Sequence, residues 1–167
     1  ARAFATEHSV WLILKNFRTL VATPAGEVFV SPTGNPGMAT AGMGDVLTGV
    51  LTSAVGTSIA QGNTSPEDVT RAVCFGVFLH GLAGDLAVEE INAAGGILGR
   101  KIEFIFGDDE AKPTAGVAMM ERLIINDKVE LATGGLNSDV ALATMDVTAK
   151  YGIPQILNTP VSDAITK

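Results

Sequence analysis

The feature that most constrains this chain is an unbroken helical stretch that begins at Pro66. Ser65-Pro66-Glu67-Asp68 supplies a capping serine, a proline at the first helical position and two acids in the first turn, each of which favours a helix start. From there Val69, Val73, Val77, Leu82, Leu86 and Ile91 recur at helical spacing, and no breaker appears before Gly95-Gly96. At 1.5 Å per residue the result is a rod of about 40 Å, with Gly81 and Gly84 as the points where it can bend. In a chain of 167 residues much of the interior has to be built against such a rod.

Before the rod, Val10 to Lys15 is a short, nearly continuous apolar run of the kind a buried strand shows. Thr19 to Ala22 and Glu27 to Ser31 are two further extended pieces, separated by Pro24-Ala25-Gly26, which is hairpin chemistry. The stretch Ser31 to Gly49 is dense in Gly, Pro and Thr and reads as a shaped loop delivering the chain into a helix at about Gly44, ending near Val55 or Gly56. After Gly99 the rhythm changes: extended Lys101 to Phe106, helix Pro113 to Asn126, strand Glu130 to Thr133, helix Ser138 to Lys150, strand Pro154 to Leu157 and a helix start at Ser162. Alternating strands and helices with short loops predict right-handed crossovers and a parallel sheet.

Composition bounds the function classes. With 47% hydrophobic and 17% charged residues the chain belongs among compact globular proteins, and its net charge of -7 repels phosphate backbones and anionic membrane surfaces. Neither nucleic acid nor membrane is an expected partner. No stretch looks like a signal peptide, and no apolar run is expected to reach the roughly 20 residues of a spanning helix, so a soluble, cytoplasmic chain is expected. Cys74 is the one cysteine; within Val73-Cys74-Phe75-Gly76-Val77 it reads as a buried, inert thiol.

Chemistry concentrates where the glycine-rich loop meets its helix, at Ala41-Gly42-Met43-Gly44-Asp45. Backbone N–H groups at a helix start are unpaired and carry the positive end of the dipole, so an anion can sit there, and Asp45 beside it could move a proton. The alternative is a tight helix entry with a carboxylate near its first turn. His80, in Phe78-Leu79-His80-Gly81-Leu82, reads as a satisfied, partly buried helix histidine, and His8 as surface. Asp108-Asp109-Glu110 precedes a proline and reads as solvated surface with no metal role.

The run Pro32-Thr33-Gly34-Asn35-Pro36-Gly37-Met38-Ala39-Thr40-Ala41-Gly42-Met43-Gly44-Asp45-Val46-Leu47-Thr48-Gly49 resembles the signature of ADP/ATP-dependent NAD(P)H-hydrate dehydratases, lyases of the ribokinase-like superfamily. Leu14-Lys15, Arg18-Thr19 and Leu79-His80-Gly81-Leu82-Ala83-Gly84-Asp85 extend the likeness over about residues 1–86. It implies that Lys15, Asn16, Phe17, Arg18 and Thr19 line a nucleotide site, that Gly44 contacts the nucleotide, and that Asp45 is the catalytic acid or base.

Residues 87–167 resemble the first lobe of type I periplasmic binding proteins of the branched-chain amino acid transporters. The likeness rests on Ala87-Val88-Glu89-Glu90-Ile91-Asn92-Ala93-Ala94-Gly95-Gly96-Ile97-Leu98-Gly99-Arg100, Asp108-Asp109-Glu110-Ala111-Lys112-Pro113, Gly134-Gly135-Leu136-Asn137-Ser138 and Tyr151-Gly152-Ile153-Pro154. It implies an amino acid carboxylate site at Asn137, Ser138, Thr159 and Ser162. Ser138 and Ser162 can equally be helix N-caps.

Both likenesses end in one helix, about residues 66–94, which suggests a chimera joined near Leu86. The expected fold is a single recombined domain: a three-layer α/β sandwich with a mainly parallel sheet and an N-terminal hairpin, in which Val10 to Lys15 fills a strand position of the second segment's sheet. Because each segment is read as lacking part of its parent's pocket, the expectation is an engineered scaffold without a physiological reaction. It needs no cofactor, with ADP or ATP a vestigial ligand, and is a monomer or homodimer. The alternatives are residual nucleotide binding or dehydratase activity, and weak branched-chain amino acid binding.

Overall fold

A computed structural model describes residues 1–15, 18–40, 42–135, 137–157 and 160–166. The chain divides into two compact units, Ala1–Ile102 and Glu103–Lys167, and each is described by itself.

The first unit opens with helix α1, Arg2–His8, closed by Ser9 in the left-handed region at φ 53°. Three antiparallel strands follow in the order β1 (Leu12–Leu14), β2 (Leu20–Ala22) and β3 (Val28–Val30). Ile13 pairs with Val21, and Val21 with Phe29. The turn between β2 and β3 closes as its residues predict: Gly26 N donates to Thr23 O at 2.9 Å, with Gly26 at φ 85°. As cross-strand partners Ile13, Val21 and Phe29 share one face of the sheet; Val21 on the central strand is 2% exposed, and Phe29 on the edge strand β3 is 41% exposed.

Helices α2 (Met43–Ala60) and α3 (Pro66–Ala93) pack on each other. Their contact is close because Gly76 leaves room for Leu51, whose Cδ2 would lie 3.0 Å from a Cβ there. Val21, Leu47, Val73 and Val77 form the core, with Trp11, Ile13, Leu51 and Val55 around it. Trp11 Nε1 donates to Thr70 Oγ1 at 2.9 Å, tying the residue just before β1 to α3. The capping box at Ser65 and Asp68 is present in both directions. At the far end Asn92 holds Ile102 by both its amide and its carbonyl, and Ile97 and Arg100 exchange backbone hydrogen bonds around a tight turn. Leu98 at the tip of that turn has φ 52° and is 96% exposed.

The second unit contains α4 (Pro113–Ile125), β4 (Ala132–Thr133), α5 (Ser138–Tyr151) and β5 (Gln155–Ile156). β4 and β5 pair in parallel. Met120, Ala132 and Val147 make the core with Val117 and Ile124. Gln155 bridges two buried hydroxyls of α5, donating to Thr144 Oγ1 and accepting from Thr148 Oγ1, both at 3.0 Å. Gly152 ends α5 in the left-handed region at φ 68°.

Four expectations are corrected. The sheet is not mainly parallel, since the three-stranded sheet is antiparallel and the parallel pair is two residues long. Among the described residues Val10 to Lys15 does not join β4 and β5; the ladder of Leu12–Leu14 runs to β2, the next strand in sequence. Lys101 to Phe106 forms no ladder among the described residues, and Ile102 is held by Asn92 instead. Finally, α2 and α3 each contain an 18-residue window of spanning length and apolarity, at mean hydropathy 1.2 and 1.4. Ala, Gly and Thr keep those windows low in charge, with Asp45 inside the first, without making them continuous apolar runs. Only 6% of the first window and 22% of the second is buried in the structure.

Candidate functional site

The helix start at Gly44 and Asp45 is reached through a loop held from behind by α3. Thr33 Oγ1 donates to Phe78 O at 2.9 Å. Gly34 N and Asn35 Nδ2 donate to the two carboxylate oxygens of Asp85, each at 2.9 Å. Asn35 Oδ1 in turn accepts from Gly37 N and caps a short 3-10 turn, Pro36–Met38. The loop can lie this close because two positions on α3 have no side chain. A Cβ on Gly81 would meet the Thr33 carbonyl carbon at 2.7 Å, and one on Gly84 would meet Met38 Cγ at 2.6 Å.

The loop ends at Gly42, the N-cap of α2, with φ 83° and no side-chain capping bond. Met43 N donates to Thr40 O at 3.4 Å, so the capacity for an anion at this helix start lies with Gly44 N and Asp45 N. Lys15, at the end of β1, brings its Nζ to 3.7 Å from where a Cβ on Gly44 would stand. Lys15 and Asp45 are both exposed. A cation beside an uncapped helix start can hold a phosphate from two sides, and Asp45 sits in the same first turn.

His80 differs from its expected state. Its Nε2 is buried with no partner among the described residues. Burial and then the charge of Lys15 push its pKa down, against a hydrogen bond to the Met43 backbone that pulls it up. Cys74 was expected to be buried and is half-buried; burial, followed by Glu27, holds the thiol above its ordinary range and so protonated.

Among the expected nucleotide residues, Lys15 and Gly44 come together. Arg18 lies in the described chain at φ 62° and Thr19 receives Ser31 N at its carbonyl, 2.9 Å. Asn16 and Phe17 lie outside the described residues. In the second unit, Asn137 is the N-cap of α5, accepting from Asp139 N at 3.0 Å. Ser138 is thus not the cap; its hydroxyl accepts from Val161 N at 3.2 Å, and Ser162 Oγ accepts from Ala164 N at 3.4 Å. Thr159 lies outside the described residues.

Asp108 and Asp109 shape their own loop by accepting from Glu110 N and Ala111 N, and no group of three metal-binding side chains occurs among the described residues. A groove of about 700 Å³ runs between α2 and α3, past Val50, Ala54, Phe75 and Leu79, and Lys15 is not among its lining residues. Sequence reasoning missed Asp85, although it stands in the quoted Ala83-Gly84-Asp85 run; its partners are about fifty residues earlier.

Comparison with known proteins gives two families. The NAD(P)H-hydrate dehydratase family matches residues 1–103, and the periplasmic binding protein family matches residues 82–166. Over 105 residues the chain is 40% identical to the bifunctional NAD(P)H-hydrate repair enzyme Nnr of Moorella thermoacetica, covering 63% of this chain and 18% of that protein. It is 43% identical over 91 residues to the ADP-dependent (S)-NAD(P)H-hydrate dehydratase of Neisseria meningitidis serogroup B, 54% of this chain and 28% of the other. Over 112 residues it is 31% identical to the Leu/Ile/Val-binding protein homolog 2 of Brucella abortus, 67% of this chain and 26% of the other. The chain spans less than a third of the length of these relatives. The expected junction near Leu86 falls where the two matches overlap. The chain belongs to the NAD(P)H-hydrate dehydratase family over residues 1–103 and to the periplasmic binding protein family over residues 82–166, as a chimera of the two would.

Proposed function

We propose that this chain is a recombined α/β scaffold that keeps a phosphate corner for ADP or ATP in its dehydratase-related segment and does not turn over a hydrated nicotinamide cofactor. The observation that carries the reading is the meeting of Lys15 Nζ with Gly44 at the uncapped start of α2. A phosphate there gains the lysine charge and the helix N–H groups together. One dehydratase relative is described as ADP-dependent, which fits a nucleotide as the anion. Against turnover stands the exposure of Asp45; proton transfer to a substrate gains most in a site that excludes water.

The amino acid reading of the second segment has less support. Asn137, Ser138 and Ser162 each accept a hydrogen bond from the chain itself, so a ligand carboxylate would have to displace those bonds. The chain's charge of -7 also argues against nucleic acid as the polyanion at Lys15, because the long-range field is repulsive.

Calorimetric titration with ATP tests the reading. We expect saturable binding that weakens about tenfold in Lys15→Ala, the loss of one charge-assisted contact. Absence of binding in the unaltered protein refutes the phosphate corner. Dehydration of hydrated NADH in the presence of ADP or ATP, abolished by Asp45→Ala, refutes the absence of turnover.

A further inference from the structure

We infer that Asp85 is the positioning residue of the phosphate corner, acting through the loop it clamps and not through any contact with ligand; the inference rests on the nucleotide reading above. One carboxylate serves two donors on successive residues, Gly34 N and Asn35 Nδ2, each at 2.9 Å. Phe78, Gly81 and Asp85 lie at helical spacing, so the bond to Phe78 O, the bare surface of Gly81 and the carboxylate present one face of α3 to one loop. From that face the constraint runs forward without a long free segment. Asn35 caps Pro36–Met38, Met38 packs at Gly84, and Gly42 begins α2 four residues later.

The chemistry requires a carboxylate. Two donors converge on position 85, and an amide there would offer one acceptor oxygen and turn an NH₂ group toward one of those donors. Charge-assisted bonds are also roughly twice as strong as neutral ones. A loop whose amides must be in place before the anion arrives gains affinity from such a clamp, because ordering need not occur on binding.

The exchange of the two side chains provides the test. When Asp85→Asn is combined with Asn35→Asp, the amide oxygen now at position 85 can take Gly34 N, and its NH₂ group can donate to the carboxylate now at position 35. The second oxygen of that carboxylate can take Gly37 N. The pattern is restored with the donor and acceptor reversed and the net charge unchanged. ATP affinity by calorimetry and amide hydrogen exchange over residues 32–38 without nucleotide are measured on the whole chain for the unaltered protein, both single variants and the pair.

We expect each single variant to weaken ATP binding about tenfold and to speed exchange in the loop, and the pair to recover both to within about threefold of the unaltered protein. Normal loop exchange in Asp85→Asn overturns the clamp. So does failure of the pair to recover, or an affinity that stays unchanged while exchange accelerates. If the unaltered protein binds no ATP, the nucleotide reading and the role of Asp85 in it are both lost. Loop exchange then still shows whether the clamp itself exists, so the two failures are told apart.

Discussion

Helices α2 and α5 both start after glycine-bearing loops, and they are finished in opposite ways. At α2 the polar side chains work behind the loop: Asp85, Thr33 and Asn35 fix its path, while the helix start itself has no side-chain cap. At α5 the polar side chains work on the start itself, Asn137 as its cap and Ser138 as a tie to Val161. A helix start is thus left available for an anion in one segment, after a glycine at φ 83°, and consumed by the fold in the other, after an extended asparagine at φ -93°. A helix N-terminus becomes a site when something other than its own cap holds the approach.

The strongest way to break this comparison is to push the loop off α3. Gly81→Val places atoms against the backbone of Thr33 and should cost about 2–3 kcal/mol in urea unfolding while abolishing ATP binding. Gly116→Val is the counterpart, since a Cβ there would stand 2.7 Å from Val140 Cγ1. It should cost a similar amount, about 1–3 kcal/mol, and leave ATP binding intact. Full ATP affinity in Gly81→Val would mean that the loop's seat is irrelevant to the site.

Asn137→Ala removes a true cap and should destabilise by about 1 kcal/mol, read by urea midpoint, with no change toward ATP. Ser138→Ala should stay within about 0.5 kcal/mol, since its hydroxyl serves one exposed bond. A larger loss for Ser138 than for Asn137 would reverse the assignment of the cap.

The smallest effect concerns His80. Its pKa is lowered in the folded chain, so the unfolded chain binds the proton more readily. Stability is then intact above the ordinary value of 6.5 and declines as pH falls below it. A thermal series from about pH 7.5 to about pH 5 should show this decline, and His80→Gln should lack its share of it. Identical profiles would assign the acid sensitivity to other groups.

How much of this was legible follows from how local each signal is. The start of α3 was readable because Ser65, Pro66 and Asp68 carry it within four residues, and the end because Gly95 and Gly96 both stand at positive φ just beyond it. The entry to α2 near Gly44 was readable because a glycine-rich run leading into a helix is a local signal. Helix α1 was not found, since Arg2–His8 has no side-chain cap and buries only Ala5. Sheet direction failed for a different reason. Apolar runs announce that Leu12–Leu14 and Ala132–Thr133 are extended, but not which strand they join or in what sense. The Asp85 clamp escaped because its donors lie about fifty residues away and no spacing rule reaches that far.

The turn at Leu98 leaves headroom for engineering. A non-glycine residue held in the left-handed region costs roughly 1–2 kcal/mol, and Leu98 is in addition almost wholly in water. Asparagine or glycine at that point would relax the backbone and remove a sticky side chain, in the stretch common to both family matches. A sturdier turn could therefore be installed where the two family matches overlap, leaving Lys15, Gly44, Asp45 and Asp85 as they are.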